Sequence, residues 1–206
     1  MKLYYMPGAC SLADHIALEW TGQSYETHKL SHDDLKKEPF LKVNPLGAVP
    51  ALQLKDRVLT QNSAILNYLA DSHPDAKLSG DGTAESRAEV NRWLGFVNAD
   101  VHPAFKPLFG ATAYLEDEAA IEHTKDNARQ TLRGHFQLLN EHLKDRNWLA
   151  GTRSIADPYL FVVFRWAKLI ESMKIDLSGL DHLERFFERM NSDAGVKRAL
   201  EAEGLV

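Results

Sequence analysis

The chain contains a single cysteine, Cys10, and its position is the first feature that could do chemistry. It lies between a short apolar run, LYYM at residues 3–6, and an amphipathic segment that begins SLAD at residues 11–14. A lone cysteine is most often a small buried hydrophobic residue. Here it directly precedes a predicted helix start, where free backbone N–H groups and the helix dipole favour negative charge. We therefore expect the pKa of this thiol to be lowered toward the reactive thiolate form.

Two further stretches could bind a ligand. Val49-Pro50 leads into a strand; a trans proline is the common interpretation, while a cis proline would leave the Val49 backbone free to pair with an extended peptide. Gln61 ends a strand and Asn62 opens a helix, whose N-terminal N–H groups could hold a carboxylate. Asn62 or Ser63 could also simply cap that helix. Together with the thiol, these stretches describe a site for a short, anionic, thiol-bearing peptide.

The elements that would position these residues begin with a strand at residues 3–6. The next segment predicts a helix that is capped by Ser11 and Asp14 and ends at Gly22. Further predicted strands span residues 25–30, 51–54 and 58–60, and the next predicted helix spans residues 62–72. The order is therefore β-α-β, the start of a parallel sheet, followed by β-β-α with a hairpin. That order is the thioredoxin-like arrangement.

A segment rich in Pro, Gly, Ser and Asp at residues 72–86 predicts a linker. Beyond it, apolar residues recur at helical spacing and no convincing strand is found. We therefore predict an α/β domain with a thioredoxin-like fold at residues 1–78 and an all-α, helical-bundle domain at residues 87–206.

Composition limits the classes of function. The chain has 24 Lys and Arg against 29 Asp and Glu, a formal net charge of -5, and the basic residues are scattered, so we expect no nucleic-acid partner. A single cysteine cannot form an intrachain disulfide, and it fits a reducing, cytoplasmic setting. The longest apolar run, at residues 159–164, is too short to cross a bilayer, and the histidines lack the spacing of a metal pair, so neither a membrane span nor a metal site is expected.

The chain as a whole resembles the cytosolic glutathione S-transferases, and specifically the bacterial beta class. The matching stretches are KLYYMPGACSLADHIALEWTG at residues 2–22, FLKVNPLGAVPALQL at 40–54, LTQNSAILNYLAD at 59–71, DVHPAFKPLF at 100–109, SIADPYLFVVFRWA at 154–167 and AEGLV at 202–206. They occur in the family's order over nearly the whole length. The resemblance therefore depends on many motifs together.

The resemblance implies that the first domain binds glutathione as co-substrate and that the helical domain supplies much of a pocket for small hydrophobic electrophiles. It implies a homodimer, catalytic roles for Cys10 and His102, and a cis proline at Pro50. The positions that it assigns to glutathione are Cys10, Val49, Pro50, Gln61, Asn62, Gly95, Ala99, Asp100 and His102. Lys36 and Lys37 are candidates for the base that would hold the glycyl carboxylate. The candidate pocket residues are Phe105, Phe109, Tyr114 and Trp166.

In the family's helical domain, the stretch matched by residues 154–157 is a capping box. Ser154 would cap a helix and Asp157 would reach back to it. Departures from the family pattern bear on the glutathione site. The family often has Glu-Ser or Glu-Gly at positions 61 and 62, so Gln61 replaces a carboxylate with an amide and weakens any ammonium contact. Gly95 stands where relatives often have an asparagine.

Three functions remain open at this point. The first is transfer of glutathione to hydrophobic electrophiles. The second is glutathione-dependent thiol–disulfide exchange or peroxide reduction, which one cysteine permits because free glutathione can resolve the mixed disulfide. The third is a non-catalytic role in binding hydrophobic ligands or partners, since a fold does not fix a function. Without the resemblance, His102 would be interpreted as a surface or cap histidine before Pro103.

Overall fold

A mixed four-stranded sheet forms in the first part of the chain, and helices form the rest. The structure, a computed structural model, describes all residues 1–206. The strands are β1 (Lys2–Tyr5), β2 (Glu26–Lys29), β3 (Ala51–Gln53) and β4 (Val58–Thr60). Their order is β2-β1-β3-β4; β1 is parallel to β2 and antiparallel to β3, and β4 is antiparallel to β3. The predicted parallel start of the sheet and the predicted hairpin are confirmed.

Nine α-helices complete the fold. They are α1 (Ser11–Thr21), α2 (Glu38–Leu41), α3 (Asn62–Ser72), α4 (Ala84–Phe96), α5 (His102–Ala104), α6 (Glu118–His142), α7 (Ala156–Leu169), α8 (Asp181–Ser192) and α9 (Ala194–Glu203). A π-helical turn at Val97–Val101 joins α4 to α5. No helix combines the length and the apolar character that a membrane span requires.

Helix α1 joins the sheet to the helical part of the chain. It packs against α3 on one side and against α7 and α9 on the other. Leu12 and Ile16, four residues apart on one helix face, are fully buried. The larger of two apolar core clusters contains 45 buried residues and continues from β1 through α1 into α7 and α8. The residue in front of α1, Cys10, is therefore positioned by both parts of the fold.

The start of α1 differs from the predicted capping box. Ser11 is the first helical residue, and its hydroxyl faces back to the turn, within 3.3 Å of the backbone nitrogen of Met6. The Asp14 carboxyl is fully buried and accepts a hydrogen bond from Asn62 instead of reaching back to the cap. The local pattern was correct for a helix start, but the tertiary partners of both side chains override it. The predicted end is confirmed, since Gly22 closes α1 in the left-handed conformation at φ 69°.

In the second predicted capping box, at residues 154–157, the Asp157 carboxyl reaches back to Ser154 as predicted, but the residue directly before α7 is Ile155, one position after Ser154. The Asp157 Oδ2 accepts hydrogen bonds from the Ser154 backbone N–H at 2.7 Å and from the Ser154 hydroxyl at 3.0 Å. The hydroxyl in turn accepts from the Ala156 N–H at a longer 3.4 Å. The other oxygen of Asp157 accepts from the Leu149 N–H at 2.9 Å. The box therefore also fixes the loop that precedes α7.

The fold class is the predicted one, a thioredoxin-like sheet domain followed by a helical domain. Between α3 and α4 lies only a short 3-10 turn at Pro74–Ala76. The predicted domain boundaries, 1–78 and 87–206, stay predictions.

Candidate active site

Cys10 lines a polar cavity of about 230 Å³ between the sheet and the helical part. Its side chain is half-buried, and its thiol donates to the Val49 carbonyl oxygen at 3.4 Å. The residues that line this cavity are Cys10, Asn44, Leu46, Ala48, Val49, Pro50, Thr60, Gln61, Asn62, Asn98, His102, Pro103, Lys106 and Tyr159. Six of the nine predicted glutathione positions are therefore brought together: Cys10, Val49, Pro50, Gln61, Asn62 and His102.

The loop before β3 presents to this cavity a backbone edge that pairs with no other backbone group. The Val49-Pro50 peptide bond is cis, and neither the N–H nor the C=O of Val49 bonds another backbone group. The buried Asn44 side chain holds the loop by donating to the Ala48 carbonyl at 2.6 Å. Gly47 has φ 59°, and a Cβ there would lie 2.8 Å from a backbone oxygen, so only glycine fits. The loop is therefore fixed with the Val49 edge available to a ligand.

The start of α3 forms another wall of the cavity. Gln61 precedes the helix with φ 73° and ψ 121°, and such a positive φ is uncommon for a residue other than glycine and is often found at functional sites. No side chain caps α3. Asn62 is occupied elsewhere, since its amide donates to the Cys10 carbonyl and to Asp14, both at 2.8 Å. The helix therefore begins with uncapped N–H groups, and the alternative of capping by Asn62 or Ser63 does not occur.

His102 belongs to a polar group on the helical side of the cavity. Its Nδ1 lies 2.6 Å from the hydroxyl of Tyr159, which also lies 3.4 Å from the Asn98 Oδ1. Asn98 lies within the π-helical turn and His102 follows it directly. Such turns are frequent at functional sites. The indole of Trp166 meets the imidazole edge to face, at 4.9 Å between ring centroids.

The electrostatics correct the expectation for Cys10. Burial raises the pKa of its thiol to about 12, and the nearby Asp14 carboxyl adds to that rise. The backbone N–H groups of Cys10 and Ser11 act in the opposite direction but do not offset it. The predicted lowering was wrong because the helix start is buried, and desolvation disfavours the thiolate more than the helix N-terminus favours it. In the free protein, Cys10 is a protonated thiol.

His102 is neutral for the same reason. Burial lowers its pKa to about 4, and the nearby Lys106 ammonium contributes to that fall. A neutral imidazole carries one N–H and one acceptor nitrogen. The cavity therefore holds two uncharged groups, a thiol and an imidazole, that can exchange hydrogen bonds with a bound sulfur.

A second, apolar cavity of about 430 Å³ adjoins the first. The two share Cys10, Ala48, Val49 and His102. The additional residues of the apolar cavity are Met6, Pro7, Gly8, Ala9, Leu35, Gly47, Phe109, Trp166 and Ile170. Of the candidate pocket residues, Phe109 and Trp166 lie in this wall, Phe105 is fully buried in the core, and Tyr114 is exposed and lines neither cavity.

Several predicted residues lie elsewhere. Gly95, Ala99 and Asp100 are exposed and do not line the polar cavity, so their roles stay predictions. The two candidate bases before α2 lie outside the cavity, and Lys37 pairs with Asp34 at 2.8 Å.

Sequence reasoning gave no role to eight of the cavity residues: Asn44, Leu46, Ala48, Thr60, Asn98, Pro103, Lys106 and Tyr159. The polar ones on the helical side are Asn98, Lys106 and Tyr159. Asn98 and Lys106 lie within four residues of His102, a proximity that could have indicated them. Tyr159 begins the most apolar run of the chain, so its pattern indicates only core.

The chain is similar to known proteins over nearly its whole length. Residues 1–71 match the model of the glutathione S-transferase N-terminal domain, and residues 102–194 match that of the C-terminal domain. A curated protein from Xanthomonas campestris pv. campestris, named glutathione S-transferase GST-4.5, is 54% identical over 206 residues, covering 100% of both chains.

Two solved structures are also similar over 100% of both chains. A sphingomonad glutathione S-transferase complexed with glutathione is 36% identical with a TM-score of 0.87. A beta-class glutathione S-transferase from Sphingomonas chungbukensis is 39% identical, also with a TM-score of 0.87.

Proposed function

The chain belongs to the glutathione S-transferase family, and its structural neighbours include a bacterial beta-class member of that family. We propose that it transfers glutathione to small hydrophobic electrophiles. The observation that carries the proposal is the meeting of the two cavities at Cys10 and His102. Glutathione would occupy the polar cavity and the electrophile the apolar one. The glutathione sulfur would then lie at the boundary, where the two reactants meet.

Three features of the polar cavity suit a short anionic peptide. The N–H of Val49 has no partner and its C=O accepts only the Cys10 thiol, so both can pair with the cysteinyl backbone as an added strand does once the thiol turns to the ligand. The uncapped N-terminus of α3, behind Gln61, can hold the γ-glutamyl carboxylate. The Lys106 ammonium is the cation in the cavity wall and can pair with a carboxylate. Gln61 would accept a hydrogen bond from the glutamyl ammonium in place of an ion pair.

The chemical step needs a glutathione thiolate. The protonated thiol of Cys10 would donate a hydrogen bond to that thiolate, and the neutral imidazole of His102 would approach it from the helical side. Hydrogen bonds to an ionised sulfur lower its pKa and hold it in place. The apolar wall that includes Phe109 and Trp166 would exclude water and hold the electrophile within reach of the sulfur.

Disulfide exchange is the second candidate function, because a free cysteine lies in the cavity. In that reaction the Cys10 thiolate would attack the sulfur of a disulfide and expel the other thiolate, and glutathione would then resolve the mixed disulfide. The raised pKa of Cys10 slows this step and favours conjugation. Turnover with an aryl halide is therefore expected to exceed turnover with hydroxyethyl disulfide; the reverse order would favour disulfide exchange.

The Cys10→Ala variant separates the two roles. We expect it to abolish mixed-disulfide formation, which mass spectrometry detects, and to reduce but not abolish conjugation of an aryl halide. Complete loss of conjugation, with glutathione binding intact, would make Cys10 essential to both reactions.

Retention on immobilised glutathione tests the binding mode against a non-catalytic role. We expect the wild-type protein to be retained and eluted by free glutathione. Lys106→Gln should weaken glutathione binding in calorimetry, whereas Lys36→Gln, an exposed lysine outside the cavity, is the matched control. No binding of the wild type at millimolar glutathione would refute both enzymatic functions, and a loss confined to Lys36→Gln would move the carboxylate site away from Lys106.

The family resemblance also motivates proposals on assembly and location. The protein would act as a homodimer in the cytoplasm, where the single cysteine stays reduced. Light scattering at micromolar concentration measures the assembly directly, and a monomeric mass would contradict it.

A further inference from the structure

Tyr159 is the buried group in the polar cavity to which the proposed reaction assigns no role. Tyr159 is only 1% exposed, yet its hydroxyl reaches the cavity that Cys10 also lines. The ring packs within the helical core at the start of α7. Its hydroxyl contacts two groups only, the His102 Nδ1 at 2.6 Å and the Asn98 Oδ1 at 3.4 Å.

The hydroxyl carries one proton, so the two contacts cannot both be donated by it. The contact to the imidazole has the length of a well-formed hydrogen bond, whereas the contact to the amide is long. Burial raises the pKa of Tyr159 above that of an exposed tyrosine, so the group stays a phenol. The phenol is therefore the donor, and the Nδ1 of His102 is the acceptor.

This assignment also fixes the protonation of the second ring nitrogen of His102, Nε2. A neutral imidazole that accepts at Nδ1 carries its proton on Nε2, which is the nitrogen left for a ligand. Packing supports the same orientation, since the rings of Tyr159 and Trp166 both meet the imidazole edge to face, at 5.8 Å and 4.9 Å between centroids. The histidine is then held in both rotamer and tautomer.

We infer that Tyr159 is a positioning residue that holds the proton of His102 on Nε2, so that the imidazole acts in the cavity as a hydrogen-bond donor. The expected effect of Tyr159 on turnover rests on the proposed function, whereas the tautomer of His102 does not. As a donor, Nε2–H would stabilise the negative charge on a bound sulfur. It could not act as a base toward the thiol of glutathione from that nitrogen.

The tautomer is measured directly in the free protein by long-range ¹H–¹⁵N spectra of the imidazoles, with His102→Gln used to assign the signal. We expect the wild type to show the Nε2–H form and Tyr159→Phe to show a mixture of the two tautomers. Tyr68→Phe is the matched control, because Tyr68 lies on α3 outside both cavities and its hydroxyl has no hydrogen-bond partner. A wild-type proton on Nδ1, or an unchanged tautomer in Tyr159→Phe, would overturn the inference.

Turnover gives the second readout. In metal sites, loss of a group that orients a ligating histidine reduces metal affinity or activity by about ten- to a hundredfold. By analogy with the lower end of that range, we expect kcat to fall about tenfold in Tyr159→Phe with the KM for glutathione nearly unchanged. A changed tautomer with unchanged kcat would overturn the positioning role. If the wild type does not conjugate glutathione at all, the proposed function fails, while the spectra still decide the tautomer.

Discussion

Asn62 and Cys10 are joined by a hydrogen bond of 2.8 Å from the side-chain amide of Asn62 to the backbone carbonyl of Cys10. The same amide nitrogen donates to the Asp14 carboxyl, also at 2.8 Å. One buried side chain on α3 thus fixes the residue before α1 and donates to one oxygen of the Asp14 carboxyl inside that helix. The thiol and the uncapped start of α3, two walls of the polar cavity, are held relative to each other by this bond.

Replacing Asn62 by alanine is expected to destabilise the fold. It removes both hydrogen bonds and leaves the Asp14 carboxyl, whose other oxygen already has no partner, without any side-chain donor. Leaving buried polar groups unsatisfied costs about 1–3 kcal/mol. Urea unfolding measures the loss, with Ser63→Ala, a neighbouring half-buried side chain, as control. Equal unfolding free energies for the two variants would show that the hydrogen bonds of Asn62 to Cys10 and Asp14 together contribute nothing.

Glu203, the last residue of α9, makes a similar connection from the helical domain. Its Oε2 accepts from the Gly8 N–H and its Oε1 contacts the His15 Nδ1, each at 2.9 Å, and the residue is 2% exposed. Glu203→Ala would leave both partners without an acceptor, at a cost of about 3 kcal/mol. We also expect faster hydrogen exchange at the Gly8 amide, next to the turn that carries Cys10. The exposed Glu201→Ala is the control, and protection at Gly8 that survives in Glu203→Ala would refute the connection.

Regular patterns made much of the fold predictable. The helix at residues 62–72 was predicted with its observed bounds, because its apolar spacing is regular and a strand end precedes it. The glycine stop of α1 is likewise a local signal that tertiary packing does not override.

What could not be predicted depends on long-range partners. Asp14 binds a side chain 48 positions away, so its place three residues after Ser11 was misleading. The hydroxyl of Tyr159 meets His102 across 57 positions, and nothing in an apolar run indicates where one polar atom will lie. The pKa of Cys10 depends on burial, which a helix start alone does not reveal.

The hydrogen bonds of Ser154 and Asp157 at the start of α7 predict the size of a stability loss. Ser154→Ala removes the hydroxyl that donates to Asp157 at 3.0 Å, while the backbone N–H of the same residue still donates to that carboxylate. Loss of such a cap costs about 1 kcal/mol. Thr152→Ala, an exposed residue of the same loop, is the control for changes in side-chain entropy. A denaturation midpoint that does not move relative to that control would contradict the capping role.

Asp157 makes part of the stability depend on pH. Burial raises its pKa to about 6, although hydrogen bonds from the Leu149 and Ser154 backbones and the Ser154 hydroxyl oppose the rise. The unfolded pKa is about 3.9, so the folded state holds the proton more tightly. The resulting stabilisation is complete below the unfolded pKa and is lost as pH rises through the folded pKa.

The unfolding free energy of the wild type, measured relative to that of Asp157→Asn, should therefore fall by about 1 kcal/mol between about pH 5 and about pH 7.5. Taking the difference removes the contribution of every carboxyl that both proteins share. Asn is nearly isosteric and keeps one acceptor oxygen, so Asp157→Asn retains part of the box around α7. Asp176→Asn, in which the replaced carboxyl is exposed, is the control. A difference that is flat or rises over this range would mean that Asp157 is already ionised in the folded protein at the lower pH.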